Sequence, residues 1–245
     1  VRASGLWPEF VDIKRTTLNV DSDKFPGASR FLLVHTMGRV SEGGYLDDHR
    51  DTDLRRKIVV EDCAEAHGAI RNGVQVGTNA LAACFSFYAA HLICSGEGGM
   101  AGTNDPEFAS TLRSVRSHGR PDGSLSFSFQ RFGLNLKMND LEAAVGLAEL
   151  ERFDETFTRR REILLRFRKE LAPLRGWFYL YDREGEGEVV APPAVPMVVR
   201  EDAPFARAAL MTYLENNGIQ CKTLFGSLPT QHKAFSYLGH KLGDF

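Results

Sequence analysis

The sequence predicts an α/β protein, in which a mostly parallel sheet covered by helices is followed by a smaller α+β domain. The main observation is a series of short, apolar, β-rich runs, separated by stretches long enough for the crossover connections of a parallel sheet. These runs are Phe10–Ile13, Phe31–His35, Ile58–Val60 and Ala82–Phe87. Helical patterns dominate the middle of the chain, and the last third mixes one helix with short strands.

A charged stretch, Asp47–Lys57, is expected to form a helix or a loop between two of these strands. The GEGG sequence at 96–99 predicts a turn, after which Met100–Thr103 returns as a strand and Pro106–Val115 forms a helix. The next stretch, Gly119–Arg131, is rich in Gly, Ser and Phe. A loop of this length in a compact domain favours a functional or interface role.

Two consecutive helices are predicted next. Asn139 caps the first, and Glu142 three residues later completes a capping box. The apolar residues of this helix share one face: Leu141, Ala144, Val145 and Ala148. The second helix covers Asp154–Leu171, and its predicted inward residues are Ile163, Leu164, Phe167 and Leu171.

The other face of the second helix is basic and carries Arg159, Arg160, Arg161, Arg166, Arg168 and Lys169. Such a face fits either exposure to solvent or contact with nucleic acid. The net charge is −2, and the rest of the chain adds no basic or aromatic support for nucleic acid. We therefore expect a solvated helix face and no nucleic-acid partner.

The last third of the chain predicts the smaller domain. Arg183–Val190 reads as a hairpin or loop, and Ile219–Phe225 as a strand. Between them Ala203–Asn217 forms a helix, with Asp202 as its cap and Gly218 at its end. We divide the chain into a large domain, residues 1–160, and a small domain, residues 161–245.

The ends of the sequence suggest that both domains are incomplete. The chain begins at Val1 rather than Met, and no closing element precedes Phe245. No apolar run approaches the roughly 20 residues that a membrane crossing requires. We expect no membrane partner.

Cysteine usage favours a reducing compartment. The four cysteines show neither a CxxC pair nor a regular spacing: Cys63, Cys84, Cys94 and Cys221. We therefore expect unpaired thiols, no bound metal and a cytoplasmic protein.

The segment Ile58–Gly68, with the sequence IVVEDCAEAHG, is an apolar strand that ends in two acids, Glu61 and Asp62. In parallel sheets, ligands bind beyond the carboxyl ends of the strands. An acid there can keep a ring nitrogen protonated. It can equally cap the next helix, and the segment alone does not decide between the two.

The segment Cys84–Gly99 carries the second group of candidate residues. Ser86 leaves an apolar strand, and His91 follows five residues later, before the glycine turn. A hydroxyl group at this place can bind phosphate. A single histidine fits a structural role as well as a catalytic one.

Together, these two segments resemble the DegT/DnrJ/EryC1/StrS family of sugar aminotransferases, which have the type I PLP-dependent transferase (aspartate aminotransferase-like) fold. Further blocks match in the same order along the chain: FVDI at 10–13, TND at 103–105, HG at 118–119, LNLKMN at 134–139 and AAVGLAEL at 143–150. Several blocks in order are more specific than any one of them.

The resemblance implies pyridoxal 5'-phosphate, or its aminated form pyridoxamine 5'-phosphate, as the cofactor. Asp62 matches the acid that pairs with the pyridine nitrogen, and Glu65 matches a position near the ring oxygen. Ser86 matches a phosphate ligand. Asn135 matches a residue that reaches the phosphate of the neighbouring subunit, which implies a homodimer with shared active sites. The family's Gly/Ser phosphate loop would lie before Val1.

One departure from the aminotransferase pattern directs the functional hypothesis. The family's aminotransferases have lysine, the covalent anchor of the cofactor, where this chain has His91. Imidazole has no primary amine, but it can move protons near neutral pH. The substitution resembles the family's nucleotide-sugar 3-dehydratase branch, as do the GEGG turn and the segment Leu224–Gln231. That branch removes the 3-hydroxyl of a nucleotide-linked 4-keto-6-deoxyhexose in deoxysugar and O-antigen biosynthesis, with a histidine as base.

This branch contains two types of enzyme. One carries an iron–sulfur cluster and needs a reductase. The other, of the GDP-4-keto-6-deoxymannose 3-dehydratase type, has no cluster and regenerates its aminated cofactor with L-glutamate. Arg116–Leu134 contains no clustered cysteines, so we expect the second type. The alternatives are a conventional sugar aminotransferase and a non-catalytic partner subunit.

Overall fold

Three parallel strands and one antiparallel strand form the main sheet. The computed structural model describes residues 4–21, 24, 30–41, 58–78, 80–124, 126–181, 183–224 and 232–238, with the backbone alone at 58 and 59. Its strands are β1 Phe31–Val34, β2 Ile58–Asp62, β3 Ile70–Arg71, β4 Val74–Gln75, β5 Ala82–Ser86, β6 Gly99–Gly102, β7 Phe178–Leu180, β8 Glu188–Val189 and β9 Met197–Val199. The main sheet has the order β1-β2-β5-β6.

The register of the main sheet follows from its connections. β1 and β5 both run parallel to β2, as expected for strands joined by long crossovers. β6 returns antiparallel to β5 after a turn at Gly96 and Gly98, both of which have positive φ. The predicted mostly parallel sheet, including its returning strand, is therefore confirmed.

The helices are α1 Pro106–Arg116, α2 Asp140–Glu151, α3 Phe153–Leu171 and α4 Arg207–Asn216. Asp105 caps α1 by accepting hydrogen bonds from the backbone of Glu107 and Phe108. The predicted capping box of α2 is present, because Asn139 and Glu142 each bind the other's backbone N–H. Among the described residues, no helix has the length and apolar character that a membrane crossing requires.

Several predicted elements differ from the structure. Phe10–Ile13 forms no strand and contributes only a bridge from Ile13 to Val20. Helix α4 begins later than predicted and takes Ala206, not Asp202, as its N-cap. The predicted strand Ile219–Phe225 is non-regular over its described part, 219–224. The predictions for 47–57 and 225–231 lie outside the described residues.

The core joins the main sheet to α3 and to the second half of the chain. β8 extends the hairpin of β3 and β4 into a three-stranded sheet, which connects residues near 70 with residues near 188. α3 is continuous through residue 160, so the predicted domain boundary falls inside a helix. The buried cluster contains Leu33, Val40, Cys63, Ala66, Ala69, Val76, Ala83, Leu164, Tyr181 and Val190.

The inward face of α3 is only partly the predicted one. Leu164 is buried and Leu171 half-buried, as predicted, whereas Ile163 and Phe167 are 43% and 44% exposed. Three arginines that we predicted to be solvated are only half exposed: Arg160, Arg161 and Arg168. Arg161 and Arg168 pair with Glu184, so part of the basic face turns into the protein.

The predicted apolar residues of α2 share one face, and the described part of the chain leaves that face exposed. Leu141 is 82% and Val145 50% exposed, and Ala144 and Ala148 are exposed beside them. The neighbouring loop exposes Phe127 and Phe132, by 82% and 86%. An apolar surface of this kind is typical of a protein–protein contact.

Candidate active site

Asp62 and Ser86 lie at the carboxyl ends of two adjacent parallel strands. Asp62 ends β2 opposite Cys84 of β5, and Ser86 ends β5 two residues later. Asp62 Oδ1 accepts a hydrogen bond from the backbone N–H of Ala64 at 3.1 Å, and Ser86 Oγ accepts one from that of Tyr88 at 3.3 Å. Both side chains therefore stand at the edge of the sheet where ligands of parallel sheets bind.

The neighbouring acid, Glu61, faces the opposite way and is fully buried. Its Oε2 lies 3.1 Å from His35 Nε2 and accepts a hydrogen bond from the Gly77 backbone at 2.6 Å. Successive side chains of a strand point to opposite faces, so the two acids have separate environments. Glu61 belongs to the core, and Asp62 to the candidate site.

His35, Glu61 and Cys63 bring three potential metal-ligand atoms within 4.8 Å of one another. His35 Nδ1 accepts a hydrogen bond from the Ser41 backbone at 3.1 Å, so the ring hydrogen is placed on Nε2, which faces Glu61. A nitrogen that carries hydrogen is not a metal ligand. Burial and the nearby Glu61 raise the pKa of the Cys63 thiol, which also disfavours the thiolate that metals bind. The group is a hydrogen-bonded part of the core.

Glu65 lies three residues after Asp62, and its side chain binds the loop after β1. Its Oε2 accepts a hydrogen bond from the backbone N–H of Met37 at 2.6 Å. Met37 has a φ of 54°, in the left-handed region, so this bond supports an unfavourable backbone conformation. Burial, and to a smaller extent Asp62, raises the pKa of Glu65.

His91 stands in the turn after β5, half-buried, where its backbone N–H donates to the Tyr88 carbonyl at 2.9 Å. Burial lowers the pKa of His91, the charge of Arg160 lowers it further, and Asp62 acts in the opposite direction. Its Nδ1 is buried and forms no hydrogen bond to a described residue. His91 is therefore held in its uncharged form at neutral pH, the form that can accept a proton.

A second histidine, His67, packs beside His91, with ring centroids 6.2 Å apart. Its ring is buried between Phe85 and Phe87, at 5.6 and 6.2 Å, and neither nitrogen meets the geometry of a hydrogen bond to a described residue. Burial, followed by the charges of His91 and Arg160, lowers the pKa of His67 to about 4, although the Ser86 backbone favours the charged form.

Arg160 of α3 completes this cluster. Its Nη2 donates a hydrogen bond to the backbone carbonyl of His91 at 2.9 Å. Its place in the cluster was not predicted, because we expected the basic face of α3 to be solvated. A signal was present, since Phe157 lies three residues before Arg160 and the buried Leu164 four residues after it, at the spacing of one helix face.

The close approach of α3 to this cluster depends on Gly68, which directly follows His67. Gly68 has a φ of 71°, and a Cβ at this position would lie 2.6 Å from the ring of Phe153 and 3.2 Å from that of Phe157. Only a residue without a side chain fits here. The start of α3 is thereby held against the loop that carries His67.

Asn135 lies apart from the cluster. Its backbone forms a bridge to Ser117, and its exposed side chain accepts a hydrogen bond from Lys137 Nζ at 2.5 Å. No described contact joins it to Asp62 or Ser86. The structure thus groups Asp62, His91, His67 and Arg160, places Ser86 and Glu65 beside them, and leaves Asn135 on the exposed surface.

Comparison with known proteins identifies the type of chain. The profile of the DegT/DnrJ/EryC1/StrS aminotransferase family matches residues 1–244. The chain is 29% identical to a dTDP-4-dehydro-2,6-dideoxy-D-glucose 3-dehydratase of Saccharopolyspora spinosa, over 98% of this chain and 58% of that protein. It is 34% identical to a GDP-perosamine synthase of Caulobacter vibrioides, over 69% of this chain and 46% of that protein.

A GDP-4-keto-6-deoxy-D-mannose 3-dehydratase of Yersinia pseudotuberculosis is 28% identical, over 90% of this chain and 60% of that protein. The chain thus spans about half to three fifths of the length of these relatives. Among solved structures, the sugar aminotransferase CalS13 of Micromonospora echinospora matches with a TM-score of 0.80 and 26% identity, over 99% of this chain and 67% of that chain. The predicted type I transferase fold is confirmed.

Proposed function

The chain belongs to the DegT/DnrJ/EryC1/StrS aminotransferase family, and within that family we propose that it serves the 3-dehydration of a nucleotide-linked 4-keto-6-deoxyhexose. The family comprises pyridoxal-phosphate-dependent sugar aminotransferases and 3-dehydratases, and both kinds occur among the relatives. The observation that carries the proposal is His91, an uncharged imidazole at the position where the aminotransferases have their lysine.

The described residues fit the family's cofactor, pyridoxal 5'-phosphate or its aminated form, which supplies an electron sink when bound. Asp62 offers a carboxylate at the ligand edge of the sheet, where it can stabilise a protonated pyridine nitrogen. Ser86 offers a hydroxyl for phosphate at the end of the next strand. Glu65 is the neighbour of the cofactor's ring oxygen in this proposal.

His91 acts as the base in the proposed reaction. A base must be uncharged before it accepts a proton, and burial and Arg160 both lower the pKa of His91. The proton acceptor is a ring nitrogen of this residue. Because imidazole forms no stable covalent link to an aldehyde, the protein must hold the cofactor by non-covalent contacts alone, through Asp62 and Ser86.

The cluster-free type of dehydratase, with L-glutamate as amino donor, fits the cysteines best. A [2Fe–2S] cluster takes four thiolates. In the part of the chain that the structure describes, the one close group of potential ligands contains a single cysteine, Cys63. Cys63 is buried after the end of β2, whereas Cys84 is exposed on β5. The described residues therefore include no group of four cysteines that could bind a cluster.

A homodimer with shared active sites belongs to the same proposal. The uncovered apolar face of α2 lies just after Asn135, which is exposed and makes no described contact with the cluster around His91. A second copy of the chain would cover the apolar face and bring its own Asn135 towards the phosphate at Ser86. The division into domains at residue 160 is likewise proposed, with α3 as the connecting helix.

An aminotransferase is the second candidate, because transaminases occur among the relatives. It requires a lysine at the cofactor. Lys137 is exposed and bound to Asn135, away from Asp62 and His91. The dehydratase therefore remains the better-supported function, and a non-catalytic partner subunit is the third outcome that an experiment must separate.

The test combines an absorbance spectrum with product analysis. The protein is loaded with pyridoxal phosphate, L-glutamate is added, and GDP- and dTDP-linked 4-keto-6-deoxyhexoses are then supplied. Conversion of the cofactor to its aminated form, followed by a sugar product that has lost the elements of water, supports the proposal. An amino-sugar product would establish the aminotransferase instead. Failure to bind the cofactor would favour the partner subunit.

A further inference from the structure

Arg160 differs from the exposed basic residues of its helix because it is half-buried and forms no ion pair with a described residue. Arg159 pairs with Glu162 at 3.0 Å, and Arg161 donates to Glu184 Oε2 at 3.0 Å. Arg160 is half-buried, yet among the described residues no carboxylate forms an ion pair with it. Its Nη1 is buried without a hydrogen bond to a described residue.

A partly buried charge without an ion pair is costly and is expected to be retained for a reason. The one hydrogen bond that Arg160 makes to a described residue is the 2.9 Å contact with the carbonyl of His91. Burial lowers the pKa of Arg160 itself, with Cys94 and Glu149 opposing, but a guanidinium remains charged at physiological pH. The chain thus holds a permanent positive charge in contact with the backbone carbonyl of His91.

We propose that Arg160 is a positioning residue for His91: its guanidinium fixes the turn after β5 through the His91 carbonyl and places a positive charge beside that turn. The same charge reaches His67, whose ring lies against that of His91. Four groups face His91 from four segments: Tyr88 within its own turn, His67 after β2, Asp62 at the end of β2, and Arg160 on α3. Of these, only Asp62 favours the charged imidazole.

The expected effect of Arg160 on kcat rests on the proposed function of His91 as a base. Its expected effect on the pKa values of His91 and His67 does not. We therefore measure the titration first, without cofactor or substrate. The protein is labelled at its histidine rings, the signals of His67 and His91 are assigned with His67→Gln and His91→Gln variants, and their pKa values are followed by NMR.

In the Arg160→Gln variant, we expect the pKa of His91 to rise towards 6.5, the ordinary value for imidazole, and that of His67 to rise with it. In Arg160→Lys, which keeps the charge but not the planar fork, both pKa values should stay low. Arg159→Gln, on the same helix but exposed, is the matched control and should change neither. Unchanged titration of both histidines in Arg160→Gln overturns the proposal.

The Arg160→Lys variant tests the proposal even if Arg160→Gln does not fold. Because lysine keeps the positive charge, a pKa of His91 near 6.5 in this variant would also overturn the proposal. In the active enzyme, Arg160→Gln should lower kcat by about 10- to 100-fold, within the range expected for a misplaced base. The loss should be greatest below pH 7, since the acid limb of the pH–rate profile moves upwards with the pKa of His91. If the titration shifts but no dehydration occurs with the parent protein, the proposed reaction is wrong and the role of Arg160 stands.

Discussion

His35 Nε2 and Glu61 Oε2 lie 3.1 Å apart in the core, and neither side chain has any exposed surface. The pair joins the loop after β1 to strand β2. Glu61 also accepts a hydrogen bond from the backbone of Gly77, which fixes the turn that leads to β5. One buried carboxylate therefore ties together three segments around the main sheet, while the adjacent Asp62 is left for the candidate site.

We expect Glu61→Leu to destabilise the protein by about 3–5 kcal/mol, because it removes one partner of a buried polar pair and leaves His35 and the Gly77 N–H without an acceptor. Urea unfolding followed by circular dichroism measures the change. Glu151→Leu, at an exposed site on α2, is the control and should change the free energy of unfolding by less than about 0.5 kcal/mol. A loss as small as that of the control would show that the pair contributes nothing to stability.

The His91→Asn variant should lose sugar dehydration by about 10²- to 10⁴-fold in kcat, the contribution of a general base, because its amide does not accept a proton at neutral pH. Cofactor affinity should remain within a few-fold of the parent, since Asp62 and Ser86 are intact. Steady-state kinetics and a cofactor titration measure the two quantities. His232→Asn, at an exposed site, is the control. Turnover comparable to the parent would assign the proton transfer to another group.

Lysine at position 91 should form a covalent bond to the cofactor aldehyde, because it restores the primary amine that imidazole lacks. The His91→Lys variant is incubated with pyridoxal phosphate, reduced with borohydride and analysed by mass spectrometry. We expect one cofactor mass per chain, attached to the peptide that contains residue 91. The parent protein and Arg159→Lys, each treated in the same way, give the background. An unmodified peptide would place position 91 outside reach of the cofactor.

Acid sensitivity should depend on His67. Its pKa is about 4 in the folded chain and near 6.5 when unfolded, so its contribution to stability is present above pH 6.5 and is lost as the pH falls towards 4. The full difference corresponds to about 3 kcal/mol. In His67→Leu, the free energy of unfolding should fall less steeply between pH 6.5 and 4 than in the parent, as measured by urea unfolding at each pH. His232→Leu should keep the parent's slope, and an identical slope in His67→Leu would contradict the depressed pKa.

Association should depend on the apolar face of α2. The Leu141→Glu variant places a charge on a side chain that is 82% exposed in the single chain, so it should fold normally but weaken a dimer by about 2–5 kcal/mol. The mass measured by light scattering should fall from about twice 27.3 kDa in the parent to that of one chain in the variant. Ile163→Glu on α3, at a site 43% exposed, should leave the dimer intact. A monomeric parent, or an unaffected dimer in Leu141→Glu, would exclude this face as the interface.

Much of the fold could be predicted from the sequence because the relevant signals are local. The strand positions of the main sheet follow from short apolar runs, and the capping box of α2 follows from Asn139 and Glu142 alone. The position of Asp62 at the edge of the sheet also followed, because β2 is parallel to its neighbours. The role of Glu61 did not, since its partners His35 and Gly77 are distant in sequence and only the folded chain brings them together.

The arginines of α3 show where sequence reasoning failed. Charged residues are usually solvated, so the basic stripe was assigned to solvent and the more apolar Ile163 and Phe167 to the core. The structure contradicts part of this assignment, because Glu184, from a later segment, pairs with Arg161 and Arg168. Arg159, Arg166 and Lys169 are exposed, as predicted. The contact of Arg160 with His91 also joins residues that are far apart along the chain. Helix periodicity alone carries no information on such distant partners.

The tight contact at Gly68 links the surroundings of His91 to a residue that has no side-chain chemistry of its own. A methyl group at this position would meet the rings of Phe153 and Phe157, so either these rings must turn or the start of α3 must move away from the loop that carries His67. Arg160 lies two turns further along that helix, so a movement of the helix also changes the distance from its guanidinium to His91. Under the proposed role of Arg160, a substitution at Gly68 therefore changes the surroundings of His91 without altering any residue that touches it.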